Sequence, residues 1–420
     1  MDILIRGARQ LLSLRGPSGP RRGPALFDLG LIRDGAVLIR NGVIQDVGPA
    51  RRIENLSIAR KAHEIDATGR VVMPAFVDLE TSLVHAHPAP RSLDRLLKHY
   101  DSSEAVVFRD VLDDGARGID ELSAQNLRRR AGMVAKGMLT HGTGTLETRS
   151  GYPLDPQAAL KVLRVQSDLK DGPPEVLSSL LVNQPDPDDI RRSAAVLCED
   201  QLPNIRRRRL ASFVDLECEP ASLDSPAFEQ ICTTARRLGF GVKVHAGLFS
   251  SRSAVGAALD CGAISVGNLR HVTRDEIALL SRSATIAVLT PGMALQLGLA
   301  HAAPGRELID AGVIPALASG YHAEFSPGYN MQLILLLACR LYRFRPEEAI
   351  IASTINAAHA LRVESSLGSI ETGKQADLLI LEVSDFREIA YYAGVNIVRT
   401  VIKRGEIAHQ ACKASVRDDF

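Results

Sequence analysis

Three observations predict an α/β fold, a TIM-like (β/α)8 barrel with a small β-sandwich domain built from both chain ends. First, eight short apolar runs alternate with amphipathic stretches, the pattern of repeated strand–helix units. Second, β-type residues cluster before the first run and return after the last. Third, 420 residues suffice for one large barrel and a small partner. The expected division is 1–70 for the N-terminal part of the β-domain, 71–364 for the barrel and 365–412 for the C-terminal part.

The first element is a hairpin. Ala36–Ile39 and Val43–Gly48 flank Asn41-Gly42, and Asn-Gly provides the two positive φ angles of a tight hairpin turn. Before it, Arg15–Pro24 is rich in Gly, Pro and Arg and reads as an exposed, mobile loop. The eight runs are Val72–Leu79, Thr143–Glu147, Leu177–Val182, Ser212–Glu217, Gly241–Ala246, Ala263–Gly267, Thr285–Leu289 and Pro315–Ser319. They are near-continuously apolar, as strands covered on both faces must be. Between them lie helical patterns such as Pro156–Leu163. Pro346–Leu361 reads as a helical stretch, and Ala376–Leu381 and Val398–Ile402 as the returning strands.

Composition excludes several classes. With 45% hydrophobic residues, 24% charged residues and a net charge of +1, nothing marks a nucleic-acid footprint or an anionic membrane surface. The basic run Arg206–Arg209 reads as a solvated loop or helix end. The six cysteines, Cys412 the last, lack CxxC pairing and read as reduced thiols of a cytoplasmic protein. Met1–Arg6 has an acidic second residue and no apolar core, so no signal peptide is expected. Met331–Cys339 is too short to span a bilayer and reads as a buried helix.

In such a barrel the working residues sit at the C-terminal strand ends. Those ends read Asp78-Leu79-Glu80-Thr81-Ser82, Glu147-Thr148-Arg149-Ser150-Gly151-Tyr152, Val182-Asn183-Gln184, Glu217-Cys218-Glu219, Val244-His245-Ala246-Gly247, Gly267-Asn268, Thr290-Pro291-Gly292 and Ala318-Ser319-Gly320-Tyr321-His322. Here the chain resembles a family. Met73–Asp78 looks like the approach to the first barrel strand of amidohydrolases, and Arg149-Ser150-Gly151-Tyr152 resembles the Lys-Ser-Gly-Tyr segment of imidazolonepropionases. Gly241–Ala246, Leu317–Gly320, Ser326-Pro327, Thr354–Ala358, Gly368–Leu378 and Gly394–Asn396 continue the resemblance in order over nearly the whole chain.

The resemblance implies a barrel of the metal-dependent hydrolase type. It also implies an inherited chemistry, hydrolysis of non-peptide C–N bonds in cyclic amides. In that family a zinc or iron ion activates water. Coordination lowers the water pKa to about 7, which needs a fixed ligand set with one open position. The chain departs from the pattern at those ligands. The first-strand His-x-His slots hold Glu80 and Ser82, and the eighth-strand aspartate slot holds Gly320. The sixth-strand histidine is Asn268, the third-strand histidine is Gln184, and Gly247-Leu248 stands in the acidic run after His245. His245 is the sole surviving metal slot.

The expectation is therefore a metal-free, catalytically impaired member, with no residue assigned a catalytic role. It would be a small-carboxylate binding protein or an assembly protein. Arg149 and Tyr152 would hold the carboxylate, with Gln184, Asn268 and His322 facing it. The alternative is an active hydrolase of a cyclic amide or amidine with a rebuilt zinc or iron site. That site would draw on Glu80, His85, His87, His245 and His322. Members of the family are often homodimers, and the resemblance implies one here.

Overall fold

The computed structural model describes residues 2–86, 104–151, 155–182, 190–218, 226–246, 252–298 and 302–411. His87, Tyr152, Gln184, Glu219, Gly247 and Cys412 lie outside the described residues.

Five strands precede the barrel: β1 (Asp2–Leu12), β2 (Leu31–Arg40), β3 (Val43–Pro49), β4 (His63–Asp66) and β5 (Val71–Pro74). The barrel follows as β6 (Phe76–Thr81), β7 (Thr143–Arg149), β8 (Glu175–Val182), β9 (Phe213–Cys218), β10 (Gly241–Ala246), β11 (Ser265–Gly267), β12 (Ile286–Leu289) and β13 (Ile314–Leu317). All eight are parallel and pair in sequence order. Each predicted run contains one of them. The exception in detail is Val72–Leu79, which is two strands in two sheets. Pro74 has no N–H to extend a ladder. The chain changes partners there: Ala75 N–H donates to Asp377 O at 3.0 Å, and Phe76 N–H to Gly142 O at 3.0 Å.

β13 and β6 share no ladder. A side chain and a single bridge close the seam instead. Ser319 N–H donates to Asp78 Oδ1 at 2.8 Å, and Ser82 N–H donates to Tyr321 O at 2.8 Å. Asp78 is fully buried. Burial pushes its carboxyl up to about 7, against the opposing pull of the Ser319 hydrogen bond.

The chain ends meet in one mixed sheet. β14 (Leu378–Leu381), β15 (Val398–Lys403) and β16 (Glu406–Gln410) give the order β16-β15-β14-β5-β1-β2-β3, with β4 beside β1. Alternation along β5 shows its two faces. Val72 packs with Ile39, Ile380 and Ile402, while Val71 and Met73 join the core under the barrel with Leu379 and Leu381. The expected sandwich is this single sheet curled over a shared core. Its halves meet where Ala376 N–H donates to Gly42 O at 2.8 Å and Gly405 N–H donates to Ala376 O at 3.0 Å. A Cβ at Gly42, where φ is +80°, would lie 2.7 Å from Arg404 O, so glycine is required at this hairpin tip.

Two further expectations change. The loop Arg15–Pro24 is anchored rather than loose, because Arg21 is 1% exposed. Its N–H donates to Asn356 Oδ1 at 2.6 Å, and its guanidinium donates to Asp28 O and Leu14 O. The stretch Pro346–Leu361 is two helices, Pro346–Ala352 and Ile355–Ala360. The break frees Ser353 O to accept from Val77 N–H at 3.0 Å on the first barrel strand. Met331–Leu341 is the buried helix foreseen, and Arg206–Arg209 form an exposed helix end. Among the described residues no helix is long and apolar enough to cross a membrane.

Candidate functional site

Residues two apart on a strand face the same side. In the barrel lumen this stacks charged side chains into two layers. The lower layer holds Glu147 of β7 and Lys243 of β10. Lys243 donates to Glu147 Oε2, Ser179 donates to Glu147 Oε1, and the ammonium lies 4.8 Å from the centre of the Phe213 ring. Two residues further along lie Arg149 on β7 and His245 on β10, joined by Asp215 of β9 and Glu80 of β6.

In this upper layer Arg149 bridges two carboxylates. Its Nη2 is 2.9 Å from Glu80 Oε1, and its Nε is 2.5 Å from Asp215 Oδ2. The second contact is an ion pair without hydrogen-bond geometry, since neither atom has a hydrogen-bond partner. The other oxygen of Asp215 meets His245 Nδ1 at 3.0 Å. Asp215 is completely buried, and Arg149, Glu80 and His245 are nearly so.

Burial disfavours every one of these charges, so the pairings decide. For Asp215 burial is outweighed by Arg149 and His245, and its carboxyl falls below the usual range. For Arg149 burial is outweighed by Asp215 and Glu80, which hold the guanidinium charged. For His245 burial is outweighed by Asp215, and the imidazole rises above its ordinary value. For Glu80 burial prevails despite Arg149, and the carboxyl rises.

A cavity of about 110 Å³ opens above this layer. It collects the expected positions Glu80, Ser82, Arg149, His245, Asn268, Gly320 and His322. Several have other occupations than those expected. Asn268, at φ +53°, donates through Nδ2 to Ala246 O at 3.0 Å. His322 donates through Nε2 to Gly151 O at 3.2 Å and accepts at Nδ1 from Glu324 N–H at 3.3 Å. Burial pushes its imidazole down to about 3, so it is neutral, and it stacks on Phe325 with ring centres 3.9 Å apart. His85 turns its Nδ1 to Leu83 O at 2.9 Å.

The residues present do not fit a catalytic metal. A metal needs anionic or neutral donors around an open point. Here a guanidinium fills the point where Glu80 and Asp215 converge. At Gly320, with φ +64°, a Cβ would lie 2.9 Å from Met293 Cε, so the eighth-strand slot is filled by methionine. Among the described residues no group of three or more His, Cys, Asp or Glu side chains could hold a metal ion. Arg149, the expected holder of a ligand carboxylate, contacts two resident acids, Glu80 and Asp215.

Sequence reasoning missed Asp215, Glu147 and Lys243. Their signal was present: each is a fully buried charge inside an apolar run, and such charges require partners. Reasoning from inherited ligand slots passed over them.

The parallel barrel with its lumen charges at the strand ends, beside a sheet shared by both chain ends, is an amidohydrolase architecture. Solved structures agree on the fold. An adenosine deaminase from Xanthomonas campestris with bound zinc has a TM-score of 0.69 at 18% identity, covering 97% of this chain and 92% of that one. Guanine deaminase from E. coli has a TM-score of 0.70 at 16% identity, covering 98% and 100%. Residues 265–408 match the amidohydrolase family. Imidazolonepropionase from Chloroflexus aggregans is 35% identical over 97% of this chain and 98% of its own length. Those from Deinococcus radiodurans (35%; 96% and 99%) and Symbiobacterium thermophilum (34%; 97% and 97%) are similar. The chain belongs to the imidazolonepropionase family.

Proposed function

We propose that this barrel no longer carries out metal-dependent C–N hydrolysis and that its cavity binds a small organic ligand. The observation that carries the reading is the position of Arg149. Its guanidinium neutralises Glu80 and Asp215 from within, as a metal ion would, but offers no open coordination site for water. The loss extends to the eighth strand, where Gly320 has no side chain to act as ligand or base. What persists is a lined cavity at the strand ends, the usual ligand position in this fold.

A second reading, an active hydrolase with a rebuilt zinc or iron site, has one supporting observation. The relatives carry the enzyme's name and match over nearly the full length at 29–35% identity. Metal analysis of the purified protein, with assays on imidazolone propionate and hydantoin in added zinc, iron or manganese, separates the two. The proposal expects no stoichiometric metal and no turnover. A stoichiometric metal that disappears in His245→Ala, accompanied by turnover, would overturn it.

A further inference from the structure

The charged side chains around the cavity can be matched one by one. Glu80 is paired with Arg149, and Arg149 with Asp215 as well. His245 is held by Asp215, and His322 is neutral between Gly151 O and Glu324 N–H. Arg270 on the wall is itself engaged in an interaction. Glu217 remains. It is the last residue but one of β9, two residues beyond Asp215 on the same side of the strand, and is partly buried in the cavity wall. Among the described residues it makes no ion pair and no side-chain hydrogen bond at contact distance, and its charge reaches Arg149 and His245 only through space.

We infer that the cavity binds a small organic cation of the amidine or guanidine class, with Glu217 as its counter-ion. This rests on the reading of the cavity as a ligand site. A partly desolvated carboxylate without a partner is unfavourable, and a cationic ligand relieves it. A planar amidinium offers two parallel N–H groups, which match the two carboxylate oxygens as an arginine fork does. The rest of the wall suits a compact apolar or aromatic body. Leu289, Met293, Phe325 and Tyr342 supply apolar surface, and aromatic faces favour a nearby cation. The sign is opposite to the carboxylate that the sequence suggested, because Arg149 has two carboxylates at contact distance and Glu217 has no cation there.

Benzamidinium, benzamide and benzoate share one shape and differ in charge, so calorimetric titration of the full chain with all three reads the sign directly. Benzamidinium is expected to bind at least about tenfold tighter than benzoate, the scale of one charge-assisted hydrogen-bond pair. Glu217→Gln is expected to weaken benzamidinium by about tenfold or more and to change benzamide by no more than about twofold. Benzoate binding tightest, no binding of any of the three, or equal weakening of benzamidinium and benzamide by Glu217→Gln would each overturn the inference. If Glu217→Gln does not fold, the order of the three ligands on the wild-type chain decides. A metal-loaded, hydrolytically active protein that prefers benzamidinium would sink the proposed function and leave this inference standing. A metal-free, inactive protein that prefers benzoate would do the reverse.

Discussion

The two ends of the barrel hold the same device, one buried cation between two carboxylates, and finish it differently. At the N-terminal end Lys403 of β15 donates to Asp377 Oδ2 at 2.5 Å, Glu175 Oε2 at 3.0 Å and Thr145 Oγ1 at 3.2 Å. Arg404 adds its backbone N–H to Asp377 Oδ1 at 2.8 Å and its guanidinium to Glu175 at 3.1 Å. Every contact there is a directed hydrogen bond, and together they fix the shared sheet to the start of β7 and β8. At the C-terminal end Arg149 lies between Glu80 and Asp215, with one contact lacking hydrogen-bond geometry and a cavity beside it. The difference follows the division of labour in this fold, stability at the bottom and chemistry at the top.

That contrast breaks first at Lys403. Lys403→Met leaves buried Asp377 without a cation and Glu175 with Arg404 alone, and should cost about 3 kcal/mol, read as a fall in Tm. If the melting temperature does not move, the bottom cluster is not what holds the sheet to the barrel.

Asp78 tests the seam between the two ends. Its folded pKa of about 7 lies above the ordinary carboxyl value, so its contribution is complete at low pH and is lost as pH rises toward and through 7. Between pH 4 and 7 the wild-type chain should therefore lose on the order of 3 kcal/mol relative to Asp78→Asn. Parallel Tm profiles for the two proteins would contradict this.

Arg149→Met should cost less than the change at Lys403, about 2 kcal/mol, because the cavity lets water reach the freed acids. It also leaves Glu80, Asp215 and His245 without their resident cation. Added zinc should then raise the Tm of Arg149→Met and leave the wild-type unchanged. Zinc stabilising both equally would mean that the guanidinium does not stand in the metal's place.

The smallest effect expected is at His245. Its pKa is raised by Asp215 against burial, so the pair's stabilisation is present below the unfolded value and lost as pH rises through the folded one. His245→Gln should cost about 1 kcal/mol at pH 6 and less at pH 9. A cost that grows with pH would show that His245 is neutral in the fold.

The barrel was legible because buried parallel strands must be continuously apolar, and all eight runs contain a strand. Partner exchange was not legible. Pro74 was the one signal inside Val72–Leu79 that a ladder closes there, but burial gave no second one, because both halves are equally buried. Arg21 looked like loop polarity until two carbonyls and Asn356 were seen around it. Arg149, singled out as the holder of a ligand carboxylate, meets two carboxylates of the chain itself. Which anions it holds depends on Asp215, two strands away, and that approach comes from the closed barrel and not from sequence spacing.

The sheet shared by both ends also has a temporal meaning. β5 pairs with β14, and the whole barrel is encoded between them. At about 5–20 residues per second of synthesis, the first strands emerge roughly 15–60 s before their central neighbour exists. During that interval β1, β2 and β5 carry an apolar face with an open edge. The strand that completes the sheet is thus also what ends the chain's most aggregation-prone period. A chain that stops before β14 would keep that edge open permanently.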